Sequence, residues 1–288
     1  MLKGNDEKKV IITAALTGVL ANRNQCPAIP YTPKEIALEA KRSYDAGATV
    51  AHIHARDPET GAPTFSVAIY RQIMEETRKL CDIIINFSTG GIGIPMEERV
   101  AHIRDLKPEI GALNMGSMNY AKYSQKKKAM VFDMVFANPF EDIIYLLNIM
   151  KTAHVKPELE CFDTGHIGNV SPLIDMGLLS SSQQFSFIMG VLGGIPPTAE
   201  CLALMSNLIP NDSTWEIIGI SHVQWKLIAS ALSLGGNIRV GLEDNFYVND
   251  NQMANSNGEL VEKAARMVRD VGREVASVTD AKRSLKNL

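Results

Sequence analysis

The amino-acid sequence predicts an α/β fold, a (β/α)8 TIM barrel of a single domain over residues 1–288, with an elaborated connection after the fourth strand. Three observations carry that prediction. Short apolar runs recur eight times, and helical patterns separate them. No linker, low-complexity segment or internal repeat interrupts the rhythm. Polar residues collect where the runs end, as at the carboxyl mouth of a barrel. A doubly wound open sheet is the competing fold, because counting strands does not show whether a sheet closes.

The first run is VIITAAL (Val10–Leu16), whose continuous apolar character suits a parallel strand covered on both faces. In TPKEIALEAKRSYDAG, Thr32 is an N-cap, Pro33 takes the first helical position, Glu35 completes a capping box and Gly47 ends the helix. Ile36, Ala37, Ala40 and Tyr44 form its apolar stripe. The second run, TVAHIHA (Thr49–Ala55), places Val50, His52 and His54 on one face and Ala51, Ile53 and Ala55 on the other. A helix over Ala68–Leu80 precedes IIINFS (Ile83–Ser88), and IGALNM (Ile110–Met115) is the fourth run. The strand-like AMVFDMVF (Ala129–Phe136) belongs to the elaborated connection. After a helix over Pro139–Thr152 come ELECFD (Glu158–Asp163) and FSFIMG (Phe185–Gly190). A helix over Thr198–Leu208, the run WEIIGI (Trp215–Ile220) and a helix over His222–Leu234 lead to NIRVGL (Asn237–Leu242). A last helix starts near Asn257, with Leu260, Val261, Ala264, Ala265 and Val268 facing inward.

Composition narrows the function. A hydrophobic fraction of 45% with 21% charged residues is that of a soluble globular protein. The net charge of −3 supplies no global field for phosphate backbones, so a dedicated nucleic-acid partner is not expected. The basic run Lys126–Lys128 reads as a solvated turn, with the phosphates of a small ligand as its alternative partner. No apolar run reaches the roughly 18 residues of a membrane span. The N-terminal MLKGNDEKK lacks the apolar stretch of a signal peptide. Cys26, Cys81, Cys161 and Cys201 form no C-x-x-C pair, and Cys81 and Cys161 read as buried thiols; a reduced, cytoplasmic protein is expected.

The residues with chemical potential lie at the strand ends. His52 and His54 are a start for a divalent metal site, which needs converging neutral nitrogen donors; two hydrogen-bonded histidines are the other reading. Asn86 and Ser88 end the third strand, Asn114 and Ser117 lie at the fourth, Glu160 and Asp163 at the fifth, and Arg239, Glu243 and Asp244 at the eighth. His102, His154 and His222 read as surface or packing residues, and His166 is ambiguous. Three glycine-rich loops, Ser88–Gly93, Leu192–Thr198 and Leu234–Arg239, match neither a dinucleotide fingerprint nor a P-loop.

Taken in order, TAALTG, AHIHARD, INFSTGG, LNMGSMN, ELECFDTGHI, LGGIPPT and GGNIRVGLEDN closely resemble the β-keto acid cleavage enzymes over nearly the whole chain. The resemblance implies a zinc-dependent barrel, commonly a homotetramer, that turns a β-keto acid and acetyl-CoA into acetoacetate and a new acyl-CoA. It implies zinc ligands at His52, His54 and Glu243, an acid/base at Asp244 supported by Arg239, and substrate contacts at Ser88, Gly91 and Ser117. The family's type enzyme has a glutamate about two residues after the glycine of TAALTG, where it meets a substrate amino group. Here Leu20 takes that place, so an uncharged β-keto acid is expected. A zinc hydrolase of the amidohydrolase type is the alternative, since it too uses an H-x-H pair at a barrel strand end. Its pair usually ends the first strand and is joined by later histidines. A non-catalytic zinc or CoA-binding barrel leaves Asp244 and Arg239 without a task.

Overall fold

The structure, a computed structural model, describes residues 9–91 and 93–286; the N-terminal residues 1–8, read above as free of a signal, lie outside the described residues. Eight parallel strands close into a barrel: Ile12–Ala15, Val50–Ile53, Ile84–Ser88, Ile110–Asn114, Lys156–Cys161, Gln184–Met189, Thr214–Gly219 and Asn237–Val240. The eighth pairs with the first, with Ile238 opposite Ile12 and Arg239 opposite Thr13. That closing pair excludes the open sheet.

Local chemistry places the elements where the sequence suggests. The helix Pro33–Ala46 has its full capping box: the Glu35 N–H donates to Thr32 Oγ1 at 3.2 Å, and the Thr32 N–H donates to Glu35 Oε2 at 2.9 Å. It ends at Gly47, whose φ of 115° is open to glycine at little cost. On the helix Asn257–Asp270, all five residues expected on the inner face are buried. Each large one removed from water contributes about 1.5–3 kcal/mol. Cys161 is buried as expected, but Cys81 is only half-buried and Cys26 is fully buried; all four thiols are free.

Several elements are additional to the sequence reading. The helix Met96–Leu106 shows few apolar residues because its inner face carries Arg99 and His102 beside Val100 and Ile103. The helix Val278–Leu285 plugs the amino end of the barrel, where Ala281 and Leu285 pack on Val50, Ile84 and Ile110. Beside it the first run splits, since Lys9–Val10 leaves the barrel to pair with Glu274–Val275. The elaborated connection is an antiparallel hairpin in which Met118–Ser124 pairs with Ala129–Phe136, with Lys126–Lys128 in the turn. No helix among the described residues is long and apolar enough to cross a membrane.

Inside the barrel, inward positions change character with height. The bottom is apolar, with Val50, Ile84 and Ile110. Above it lies a buried polar tier that includes Thr13, His52, Asn86, Glu158, Ser186, Glu216 and Arg239. His54, Ser88, Asn114 and Glu160 stand higher still, two residues further along their strands, at the carboxyl mouth.

Candidate active site

A cavity of about 890 Å³ opens at the carboxyl mouth. His54, Ser88, Gly91, Asn114, Glu160 and Leu20 line it, together with Arg239, Glu243 and Asp244. Thus most residues singled out in the sequence meet in one place. Ser117 does not line it: its hydroxyl accepts the Asn138 N–H at 2.7 Å and closes the neck of the hairpin. Asp163 caps a short helix by accepting the Gly165 N–H at 3.1 Å, and His166 Nδ1 accepts the Phe162 N–H at 3.2 Å.

The i, i+2 spacing on the second strand points both histidines inward: His54 lines the cavity, and His52 is buried one tier below it. Glu243 reaches them from the loop after the eighth strand, with Oε1 3.5 Å from His52 Nε2 and 3.6 Å from His54 Nε2. The three ligand atoms lie within 4.8 Å of one another. Neither ring nitrogen of fully buried His52 has a hydrogen-bond partner among the described residues. Burial, then the nearby Arg239, lower the His52 pKa and keep the ring neutral. Burial works to raise the Glu243 pKa, but Arg239 and the two histidines outweigh it and hold the carboxylate ionised. Two imidazoles and one carboxylate, with both ring nitrogens of buried His52 left unpaired, fit a zinc ion.

The TAALTG segment explains the aim of Glu243. Gly18 donates its N–H to Glu243 Oε2 at 3.1 Å, at a φ of 60°. A Cβ there would stand 2.8 Å from Glu243 Cγ, so only glycine lets the loop come this close. Thr17 fixes the strand end opposite, donating to the His54 carbonyl at 2.7 Å and accepting the His54 N–H at 2.9 Å. Buried Arg56 ties this loop down by donating to the Thr17 carbonyl at 2.8 Å.

Arg239 organises the acids. Its Nε donates to Asp244 Oδ2 at 2.9 Å and its Nη2 to Asp244 Oδ1 at 3.0 Å, while Nη2 also reaches Glu243 Oε1 at 2.6 Å. Burial, with Glu243 alongside, raises the Asp244 pKa to about 6 against the pull of Arg239. Such a carboxylate is a better proton acceptor than an exposed one. Ser88 is held from behind: the His102 Nε2–H donates to its carbonyl at 2.9 Å, and the His102 ring stacks on Tyr70 at 4.0 Å.

Sequence reasoning missed an acidic group under the mouth. Glu158 and Glu216 are buried, bridged by the Ser186 hydroxyl, and Thr13 donates to Glu216 at 2.7 Å. Glu160, placed at a strand end but given no task, has its pKa raised to about 8 by burial and by Glu158. The signal was present: Glu158 and Glu160 in ELE have the same i, i+2 spacing as the two histidines. Of the glycines in the three glycine-rich loops, only Gly90 and Gly91 line the cavity. Gly236 in the last loop makes room for Trp215, where a Cβ would stand 2.4 Å from the ring.

Comparisons with known proteins agree with this geometry. The family model described as beta-keto acid cleavage enzyme matches residues 9–286. The chain is 37% identical to a 3-keto-5-aminohexanoate cleavage enzyme of Fusobacterium nucleatum subsp. nucleatum, covering 96% of this chain and 98% of that protein. It is 32% identical to a 3,5-dioxohexanoate:acetyl-CoA acetone transferase of Paraburkholderia graminis, covering 97% and 96% respectively. Among solved structures, apo ObcA superposes with a TM-score of 0.76 at 20% identity, over 90% of this chain and 65% of that longer one, and shares the fold. With the barrel, the histidine–glutamate cluster and the matched length in view, the chain belongs to the β-keto acid cleavage enzyme family.

Proposed function

We propose that this chain is a zinc-dependent β-keto acid cleavage enzyme that takes a β-keto acid and acetyl-CoA to acetoacetate and a new acyl-CoA. The observation that carries the reading is the two-point grip of Arg239 on Asp244 beside the cluster of His52, His54 and Glu243. Those three residues would hold the zinc, which when bound supplies Lewis-acid polarisation of the ketone and carboxylate oxygens and acidifies the C2 protons between them.

The remaining work belongs to the protein's own groups. Asp244, held in one orientation by Arg239, removes a C2 proton. Carbon C2 then attacks the thioester carbonyl of acetyl-CoA and expels the CoA thiolate. The thiolate adds to the original ketone carbon, and the C2–C3 bond breaks to release the acyl-CoA. The departing enolate recovers a proton as acetoacetate. Ser88 is placed to donate to the oxyanion that develops, and Gly90 donates its own N–H to Ser88 Oγ at 3.1 Å. Gly91 and Leu20 shape the wall against which the acyl substituent lies.

The hydrolase alternative loses support at the later strand ends, which bring Asn114, Glu160, Ile188 and Ile218 to the cavity rather than histidines. A cytoplasmic homotetramer and one barrel domain complete this reading. Four free cysteines support a reducing compartment, and the family resemblance supports the assembly. Incubation with acetyl-CoA and a panel of β-keto acids tests the function. Acetoacetate with a matching acyl-CoA is expected for at least one, and its absence with every member would overturn the proposal.

A further inference from the structure

We propose that the hairpin of Met118–Ser124 and Ala129–Phe136 is the docking arm for the phosphates of the acyl-CoA co-substrate, with Lys126, Lys127 and Lys128 at its tip as the anion-binding group. The inference rests on the reading of acetyl-CoA as co-substrate. Its starting point is a shortage. Among the described residues, the cavity wall offers only Arg239 and His54 as cationic groups or groups able to become so. Arg239 is engaged by Asp244 and Glu243 through Nε and Nη2, its remaining Nη1 is buried 3.7 Å from Glu160 Oε1, and His54 faces Glu243. With the acetyl group beside Asp244, the phosphates at the other end of the molecule must therefore lie outside the cavity.

The hairpin joins the two places. At its root, Tyr120 and Phe136 line the cavity. The register pairs Met118 with Phe136 and Ser124 with Ala129, so the arm ends roughly 13 Å beyond Tyr120 at about 3.3 Å per residue. An extended pantetheine arm separates the thioester from the phosphates in the same manner. The root is braced. Ala121 bridges to Leu192, and Gly193, at a φ of 106°, lies so close that a Cβ would fall 1.8 Å from the Asn119 carbonyl oxygen. This assigns the glycines of LGGIPPT to seating the hairpin. The Tyr120 ring stacks with Phe132 at 5.8 Å, and no described residue hydrogen-bonds its hydroxyl. A polar group therefore faces the path of the amide-rich arm.

The tip supplies the charge that the cavity lacks. Lys122, Lys126, Lys127 and Lys128 are exposed, and none forms an ion pair among the described residues. Asp133 is the only acid on the hairpin. In a chain of net charge −3 this is a local field opposed to the global one, as expected where a polyanion must be steered. The loop after the second strand carries Asp57 and Glu59 instead, and the first turn of the helix Met96–Leu106 carries Glu97 and Glu98. Lys226, after the seventh strand, is a lone lysine.

The test reverses the tip charge in the full-length zinc-loaded enzyme with K126E/K127E/K128E. Calorimetry with CoA, which needs no turnover, should show a Kd raised at least about tenfold at low salt, with the difference shrinking as salt screens it. KM for acetyl-CoA should rise in parallel, while KM for the phosphate-free donor S-acetyl-N-acetylcysteamine stays at the wild-type value. K126R/K127R/K128R, which keeps the charge, should bind CoA as the wild type does. An unchanged CoA Kd in the glutamate variant overturns the proposal. So does an equal loss with both donors, which would make the hairpin a support for the cavity wall. Wild type that binds CoA through these lysines yet forms no acetoacetate would instead overturn the function proposed above and leave the arm standing.

Discussion

Arg239 holds Asp244 by two nearly equal hydrogen bonds, 2.9 Å from Nε to Oδ2 and 3.0 Å from Nη2 to Oδ1. A planar guanidinium makes this fork and an ammonium does not. The carboxylate is therefore fixed in rotation as well as in position, beside the cluster proposed to hold zinc. Its separate contact to Glu243 links Asp244 to that cluster through one side chain.

Asp244→Asn keeps the size and part of the hydrogen bonding but removes the proposed base. Zinc content should stay at the wild-type level while kcat falls at least about a hundredfold. Metal analysis and steady-state kinetics on one preparation decide it, and near-normal turnover would give the proton to another group.

His52→Ala should remove most zinc and activity together, because it deletes a proposed ligand whose ring nitrogens have no other partner among the described residues. Gly18→Ala should act on the same ligand set from a distance by pushing Glu243 aside. Elemental analysis after extensive dialysis reads both. Full occupancy in His52→Ala contradicts the ligand assignment.

Leu20 lines the cavity but remains 55% exposed, so its effect on specificity should be moderate. A carboxylate in its place would gain a charge-assisted contact with a substrate ammonium of about 1.5 kcal/mol, the low end of the range. We expect the wild type to prefer an uncharged β-keto acid over 5-amino-3-oxohexanoate. Leu20→Glu should shift the ratio of kcat/KM values toward the amine by roughly tenfold. A wild type that prefers the amine would show that Leu20 does not set the choice.

His102 makes a pH prediction away from the chemistry. Burial, opposed by its hydrogen bond to Ser88, lowers its pKa to about 3 from an ordinary 6.5. The unfolded chain thus takes up a proton that the folded one refuses. The His102 contribution is complete above pH 6.5 and is lost as pH falls from there toward 3, by up to about 1.4 kcal/mol per pH unit. Urea unfolding at pH 7.5 and pH 5 should show a larger drop for wild type than for His102→Gln, which retains a donor for the Ser88 carbonyl but does not titrate. Equal drops in the two proteins would refute the linkage.

The eight barrel strands were legible because parallel strands covered on both faces need unbroken apolar runs, and the first helix was legible because its caps are spelled out from Thr32 to Gly47. What stayed hidden had polar residues pointing inward. The helix Met96–Leu106 turns Arg99 and His102 to the core, so its periodicity is weak. In the barrel, Glu158 and Glu216 sit in strand runs and were given no role, since a strand pattern alone does not show which face lines the interior. The first hairpin strand, Met118–Ser124, has only Ala121 fully buried and so carries no apolar run to find. At the site, His52, His54, Arg239, Glu243 and Asp244 were found through their spacing and the order of the motifs. Ser117 was drawn in by its motif, although the structure uses it to close the hairpin neck.

The central claim is that C2 of the β-keto acid attacks acetyl-CoA and the original acyl group leaves on CoA. Carbon-13 NMR with acetyl-CoA labelled at its carbonyl carbon, run with the best uncharged β-keto acid of the panel, follows that exchange directly. Label is expected in the ketone carbon of acetoacetate, together with an unlabelled new acyl-CoA. Label appearing only in free acetate, or acetoacetate without label, would contradict it.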